Sequence, residues 1–211
     1  MRKAGIVFLV LSLHFATLNA QGMREGLHDF THSYFRADPF QGEFSSFVKA
    51  LVNDPGYSSK VFHVRTDTSL FFFSGVYTIY NPFFFKPTKV EVTLREIPFK
   101  YTEGMLIPDT ILVYQLTAHA EAGDKGMEDV KKEFEKIHKR YYRKFFDSNL
   151  FDLKSEGISD GAIHNYFVPF YTLAPLSVAW GRTDKECILN ITLRIKPSAN
   201  VAELPKPLDN P

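Results

Sequence analysis

The chain has 211 residues, with 25 lysines and arginines against 24 aspartates and glutamates, and 21 of the residues are phenylalanine. A net charge this close to zero provides no bulk electrostatic attraction for nucleic acid or anionic membranes, so a nucleic-acid-binding protein is not expected. The single cysteine, Cys187, excludes an intramolecular disulfide, and the packing of apolar side chains must therefore stabilise the fold.

The first 20 residues have the pattern of a secretory signal peptide. Residues 1–3 include two basic side chains, residues 4–18 are almost wholly apolar, and Ala20 is a small residue before a cleavage point. The apolar run is shorter than the ~20 residues that a membrane span needs. We therefore expect export, to the periplasm or outside the cell, of a chain that begins near Gln21 and has no transmembrane span. The alternative is a core strand or helix at a native N-terminus.

Helical spacing begins after an N-terminal segment, residues 21–40, which has no clean period and is expected to be irregular. Apolar residues then recur every three or four positions, which predicts a short helix that ends at Pro55-Gly56. The apolar positions are Phe44, Phe47, Val48, Leu51 and Val52.

Strand-like segments follow at 61–65, 70–80, 90–95 and 112–119. Segment 70–80 is apolar at both alternating sets of positions, which predicts a strand covered on both faces, and Gly75 indicates a bulge or kink within it. The segments at 90–95 and 112–119 alternate as half-buried strands do.

The strongest helical signal runs from 125 to 146, where apolar residues form one stripe and Asp124 is a candidate N-cap. Further strands are predicted at 163–171, 176–180 and 187–195. In the last of these, Cys187 is in phase with the apolar positions and should be buried. Residues 197–211 are rich in proline and are expected to form an extended tail.

The order of these elements predicts one α+β domain over residues 41–196. It should contain a mainly antiparallel sheet, with the long amphipathic helix packed across it and a shorter helix near the N-terminus. A cystatin-like or NTF2-like curved sheet around a helix is one example of this class. Such an analogy concerns the fold alone and implies no function.

Two motifs are associated with enzymes. Residues 157–161 match the G-x-S-x-G nucleophile elbow, but no buried strand precedes Ser159, and no histidine follows the downstream Asp184. We interpret this segment as a loop. Residues 28–32, His-Asp-Phe-Thr-His, resemble the zinc motif H-E-x-x-H with aspartate in place of glutamate. Aspartate is shorter than glutamate and no third ligand is indicated, so we interpret the two histidines as surface residues.

Two further motifs concern other functions. Residues 139–144 interleave bases with tyrosines, as nucleic-acid surfaces do, but the basic residues also suit the C-terminal end of a helix. Asn190-Ile191-Thr192 is a glycosylation sequon inside a predicted strand. No P-loop, dinucleotide fingerprint or cysteine-based metal motif occurs in the sequence. No catalytic residue, metal or cofactor is therefore assigned.

Phe83, Phe84 and Phe85 are the candidate binding residues. They lie between Pro82 and Pro87, which lack backbone donors and so place the segment outside a central strand, in a connection at the surface. Side-chain directions alternate in an extended chain, so at least one ring should face away from the others. The alternative is that all three rings fill the end of the core. We expect a non-enzymatic binding domain of a bacterial envelope, with a protein partner or an apolar ligand. An exported hydrolase is the second hypothesis.

Overall fold

A computed structural model describes residues 25–40, 43–63, 71–99, 109–145, 147–153, 157–167 and 174–195 of the chain. The expected signal peptide, residues 1–20, and the expected proline-rich tail, residues 197–211, lie outside these ranges. Within them, no helix combines the length and the apolar character needed to cross a membrane.

In the part of the chain that the structure describes, eight strands form one antiparallel sheet, so the predicted α+β class with a mainly antiparallel sheet is confirmed. The strand order is β1-β2-β3-β4-β8-β7-β6-β5, which makes β1 and β5 the two edges. The chain thus forms two four-stranded meanders that are joined by the pairing of β4 with β8. The strands are β1 Tyr57–His63, β2 Phe72–Tyr77, β3 Lys89–Phe99, β4 Asp109–Glu121, β5 Asp147–Asp152, β6 Asp160–Phe167, β7 Leu176–Arg182 and β8 Glu186–Ile195.

Within the described ranges three helices accompany the sheet, whereas the sequence predicted two, a long helix across the sheet and a shorter one near the N-terminus. They are α1 over 25–34, α2 Phe44–Asn53 and α3 Asp124–Tyr141, and a 3₁₀ turn Tyr142–Lys144 follows α3. Helix α3 packs on β4, β8 and β7. Near the other half of the sheet, Tyr114 of β4 meets Phe35, which follows α1, and Phe47 of α2, with ring centroids 4.3 and 5.3 Å apart. Aromatic residues of α2, of β4 and of the segment after α1 therefore fill the part of the core that α3 does not cover.

Helix α1 corrects the expectation that residues 21–40 are irregular. Its buried stripe includes Phe30, Thr31 and Tyr34, and the Thr31 hydroxyl donates to the Leu27 carbonyl at 2.8 Å. Thr31 is a polar residue within the apolar stripe of the helix, and this bond satisfies its hydroxyl. Phe30 packs on Tyr141 of α3 with ring centroids 4.7 Å apart, so tertiary contact stabilises this helix.

Strand β2 is buried on one face only, so the prediction of a strand covered on both faces is wrong. Phe73 and Tyr77 face the helices, whereas Phe72 and Val76 are half-buried on the opposite face. A Cβ at Gly75 would lie 3.0 Å from the Tyr57 ring, so that ring would have to shift to accommodate a side chain. The irregularity lies in β1, where the register shifts between Ser58 and Val61.

Two further details differ from the predictions. The N-cap of α3 is Gly123, not Asp124, which is the first helical residue. Strand β5 was not predicted, because its sequence, Asp-Ser-Asn-Leu-Phe-Asp, has neither an alternating pattern nor a long apolar run. The burial of Cys187 in phase with Leu189 and Ile191 is confirmed.

The sheet face opposite the helices is polar along its centre. One row of directly opposed residues crosses seven strands and contains only uncharged polar side chains: Ser74, Thr93, Gln115, Thr192, Ser177, Asn165 and Asn149. In the next row, the sequon residue Asn190 accepts hydrogen bonds from Thr117 at 2.6 Å and Gln115 at 3.1 Å. These side-chain bonds order the outer face.

Candidate functional site: a cleft between helix α3 and the β5 edge

A hollow with a volume of about 620 Å³ lies between α3 and strands β5–β7. Helix α3 contributes residues that recur every three or four positions, and β5, β6 and β7 contribute the opposite wall. This volume is within the range of small-molecule sites. The lining residues are Met127, Lys131, Phe134, Glu135, His138, Leu150, Asp152, Ser159, Asp160, Gly161, Ala162, His164 and Trp180.

Flat rings from the two walls of the cleft stack on one another. The imidazoles of His138 and His164 are nearly parallel, with centroids 3.8 Å apart, and Phe134 stacks on His164 at 5.8 Å. His138 Nδ1 lies 3.3 Å from the Tyr166 hydroxyl, whereas His164 Nδ1 has no hydrogen-bond partner among the described residues. Trp180 adds an indole, and the Lys131 ammonium lies 6.0 Å from its ring centroid. The cleft therefore combines flat apolar surfaces with a few polar groups at their edges.

The two histidines are held in the neutral state by their surroundings. Burial and, to a smaller extent, the neighbouring His138 together lower the pKa of His164 to about 4, because a charged imidazole is disfavoured when buried and would repel a second charged imidazole. Burial also lowers the pKa of His138. At neutral pH the stack is therefore uncharged, and its ring nitrogens can accept or donate hydrogen bonds to a ligand.

We expect the protein to lose about 1–3 kcal/mol of folding free energy between pH 6.5 and pH 4 through His164. Its pKa is depressed in the folded state, so the contribution is fully present above the unfolded value of 6.5 and is lost as the pH falls towards 4. Urea unfolding at several pH values should show a smaller loss for His164→Phe than for the wild type. Phe73→Leu, which removes a buried ring on β2 and no titrating group, should lower stability equally at every pH. Equal pH slopes for wild type and His164→Phe would contradict the assignment.

The structure separates the three predicted binding residues. Phe83 is buried in the core, 7% exposed, and Phe85 packs partly against the core. Phe84 is 76% exposed, and the Lys136 ammonium lies over its ring. Phe84 and Phe85 line a second hollow of about 430 Å³ together with four lysines: Lys86, Lys125, Lys132 and Lys136.

This second hollow contains a buried carboxylate. Glu133 Oε2 accepts a hydrogen bond from the Phe84 N–H at 3.1 Å, and its other oxygen has no partner among the described residues. Burial raises the pKa of Glu133. The bond holds the backbone of the Phe84 segment against α3, so only the Phe84 ring projects outward.

The two motifs associated with enzymes do not assemble the geometry that their chemistry needs. Ser159 lies in a turn that precedes β6, and its hydroxyl donates to the Arg182 carbonyl at 3.3 Å. His28 and His32 lie on one face of α1, and a nitrogen of each is 3.0 Å from the same Asp38 oxygen. Among the described residues, no group of three or more His, Cys, Asp or Glu is arranged to hold a metal ion.

The basic motif at 139–144 spans the end of α3. Tyr141 is buried, Tyr142 is exposed, and Lys144 forms an ion pair with Asp29 of α1. One of its bases thus attaches α1 to the end of α3, and one of its aromatic residues belongs to the core.

Comparison of the chain with protein-family models, with curated protein sequences and with solved structures finds no significant match. The geometry of the cleft is therefore the basis for a function. Sequence reasoning missed the cleft because its residues come from α3, β5, β6 and β7 and show no common spacing. The available signal was the recurrence of Lys131, Phe134, Glu135 and His138 on one side of the predicted long helix.

Proposed function

We propose that this protein is a non-enzymatic binding protein of a bacterial envelope, and that its cleft takes a small ligand with a flat apolar part. The stack of Phe134, His164 and His138, in a cleft that Trp180 also lines, supports this proposal. Flat, uncharged rings offer apolar contact area for such a ligand. The charged lining residues are Lys131 and three carboxylates, Glu135, Asp152 and Asp160.

Export and the second binding surface belong to the same proposal. The signal-like residues 1–20 support an envelope location. The exposed ring of Phe84 beside four lysines supports a contact with a protein partner, and Phe85 contributes the apolar wall of that hollow.

The finer likeness to a cystatin-like or NTF2-like curved sheet also remains a proposal. The two meanders, each preceded by a helix, support it, but it adds nothing to the functional argument.

Trp180 provides the test, because it is the only tryptophan and it lines the cleft. Titration with anilinonaphthalene sulfonate, an aromatic anion, should quench Trp180 emission to saturation. Ala162→Phe, which fills the cleft, should raise the dissociation constant at least about tenfold, a free-energy change of about 1.4 kcal/mol. Lys131→Ala, an exposed substitution that should not disturb folding, should weaken binding of the anion.

The matched control is Ala179→Phe, which adds the same ring on an adjacent strand but on the opposite face of the sheet. It should leave the titration unchanged. Thermal melting of each variant separates a filled cleft from an unfolded chain. Equal quenching in both phenylalanine variants, or the absence of saturable quenching in the wild type, would contradict the proposed cleft.

An exported hydrolase is the second candidate function. The same cleft is lined by Ser159, Asp152 and Asp160 as well as by His138 and His164, which is the set of groups that hydrolytic chemistry uses. Against it, the hydrogen bonds of these histidines among the described residues include none to a carboxylate, and the Ser159 hydroxyl donates to a backbone carbonyl. Hydrolysis of a p-nitrophenyl ester that is lost in Ala162→Phe but kept in Ala179→Phe would favour the enzyme.

A further inference from the structure

The two edges of the sheet differ in how they resist pairing with another strand. Edge strand β1 has a register shift between Ser58 and Val61, with Ser59 at φ 51°, and it carries Lys60. Bulges and lysines are the usual devices that prevent edge-to-edge association. Edge strand β5 pairs with β6 in unbroken register over all six residues. Two of its side chains, Leu150 and Phe151, are 54% and 51% exposed. β5 is therefore a short edge strand without a bulge, whose two central apolar side chains are exposed.

Backbone directions along β5 show which residues can accept a new strand. The Leu153 N–H donates to the Gly161 carbonyl at 3.0 Å, so Leu153 points its backbone groups at β6. These directions alternate in an antiparallel strand. The N–H and C=O groups of Ser148, Leu150 and Asp152 must therefore point away from β6, towards the open edge.

We propose that β5 pairs antiparallel with β5 of a second copy of this chain, with Leu150 on the two-fold axis. In this register Leu150 lies opposite the partner's Leu150, and Ser148 lies opposite the partner's Asp152. Among the registers with two-fold symmetry, this one pairs each of the three outward-facing residues with an outward-facing residue of the partner's β5. A two-fold interface must be self-complementary. Here an apolar pair lies at the centre, and a hydroxyl faces a carboxylate on each side, so no like charges are opposed.

The pairing would join two sheets into one of 16 strands and would place the partner's β5 beside the cleft. Leu150 and Asp152 already line that cleft. The partner would extend the wall that these residues form. The inference does not depend on the ligand of the cleft, because it follows from the edge strand alone.

Cysteine cross-linking of the full chain tests both the interface and its register. Directly opposed residues in a hydrogen-bonded antiparallel pair have Cα atoms about 5.5 Å apart, which suits a disulfide. Leu150→Cys should therefore form a disulfide-linked dimer on mild oxidation, while the native Cys187 is buried and should not. Phe151→Cys is the matched control in the same strand. Val61→Cys, at the 43% exposed position on β1, is the control on the other edge. Both controls should remain largely monomeric.

Sedimentation equilibrium provides the second measurement. The wild type should show a dimer whose fraction rises with concentration, and Leu150→Lys should raise the dissociation constant at least about tenfold because it opposes two lysines on the axis. Val61→Lys should not change it. A wild type that stays monomeric up to its solubility limit would overturn the proposal, as would faster cross-linking of Phe151→Cys than of Leu150→Cys. Slow exchange of the Ser148, Leu150 and Asp152 amides in a monomeric fraction would indicate a foreign strand on this edge and would also overturn it.

Discussion

Phe83→Ala should lower the free energy of unfolding by about 3–5 kcal/mol, whereas Phe84→Ala should change it by no more than about 0.5 kcal/mol. The two rings are adjacent in sequence but have opposite surroundings. Phe83 packs with Tyr34 and Phe85, with ring centroids 5.9 and 5.6 Å away, while the Phe84 ring projects from the surface. Urea unfolding of the two variants at one pH measures the difference. Similar losses in both would show that the loop as a whole belongs to the core.

The same pair of variants bears on the proposed partner surface. Phe84→Ala keeps the backbone hydrogen bond to Glu133, since that bond uses the Phe84 N–H and not its ring. A partner that binds at the hollow formed by Phe84 and the four lysines should therefore be lost without a change in melting temperature. Phe83→Ala should reduce binding only to the extent that it unfolds the chain. Native mass spectrometry of protein purified from its source reports whether a partner is retained.

Gly126→Ala should destabilise the fold by about 1–3 kcal/mol, although alanine is the better helix former by about 1 kcal/mol. Gly126 lies in the first turn of α3, and a Cβ at this position would be 1.9 Å from the Glu121 carbonyl oxygen. That oxygen belongs to the backbone at the end of β4, so the strand or the helix would have to move. The close approach follows from the two-residue connection between β4 and α3, which Gly123 permits with a φ of 109°.

The control for this substitution is Lys125→Ala, at the preceding and exposed position of the same helix. It should change the free energy of unfolding by no more than about 0.5 kcal/mol. Urea unfolding of both variants provides the measurement. A rise in stability for Gly126→Ala would mean that helix propensity outweighs the contact with β4, and the tight turn described here would then be wrong.

Helices and strands whose apolar residues recur at one regular spacing could be predicted from the sequence. The stripes of α2 and α3 and the alternation in β3, β4 and β8 each come from residues that face one core. Predictions failed where a polar residue belongs to a buried stripe, as Thr31 does in α1, because its hydroxyl is satisfied by the Leu27 carbonyl. They also failed where a strand is short and polar, as β5 is, because its place is determined by pairing with β6 and not by its own pattern.

The candidate sites show the same division. The sequence indicated the Phe83–Phe85 segment and the alternation of its rings, but it could not show which ring would be exposed. That outcome depends on Glu133 of α3, which is distant in sequence and holds the Phe84 N–H. The G-x-S-x-G motif was correctly interpreted as a turn because the segments around Ser159 lack the required strand and helix. Its position at the rim of the cleft could not be predicted, since it depends on how β6 pairs with β7.

The sequence by itself determined the α+β class, the mainly antiparallel sheet, the amphipathic faces of α2 and α3 and the burial of Cys187. Each of these follows from local periodicity, because a residue's hydrophobicity decides which side of its own element is buried. Tertiary structure alone decided that eight strands join into one sheet with β1 and β5 as edges. It also brought His138 onto His164 and left Leu150 exposed. These features depend on contacts between segments that are distant in sequence. The hydrophobic period of a segment does not specify which other segment it will pair with, or in what register.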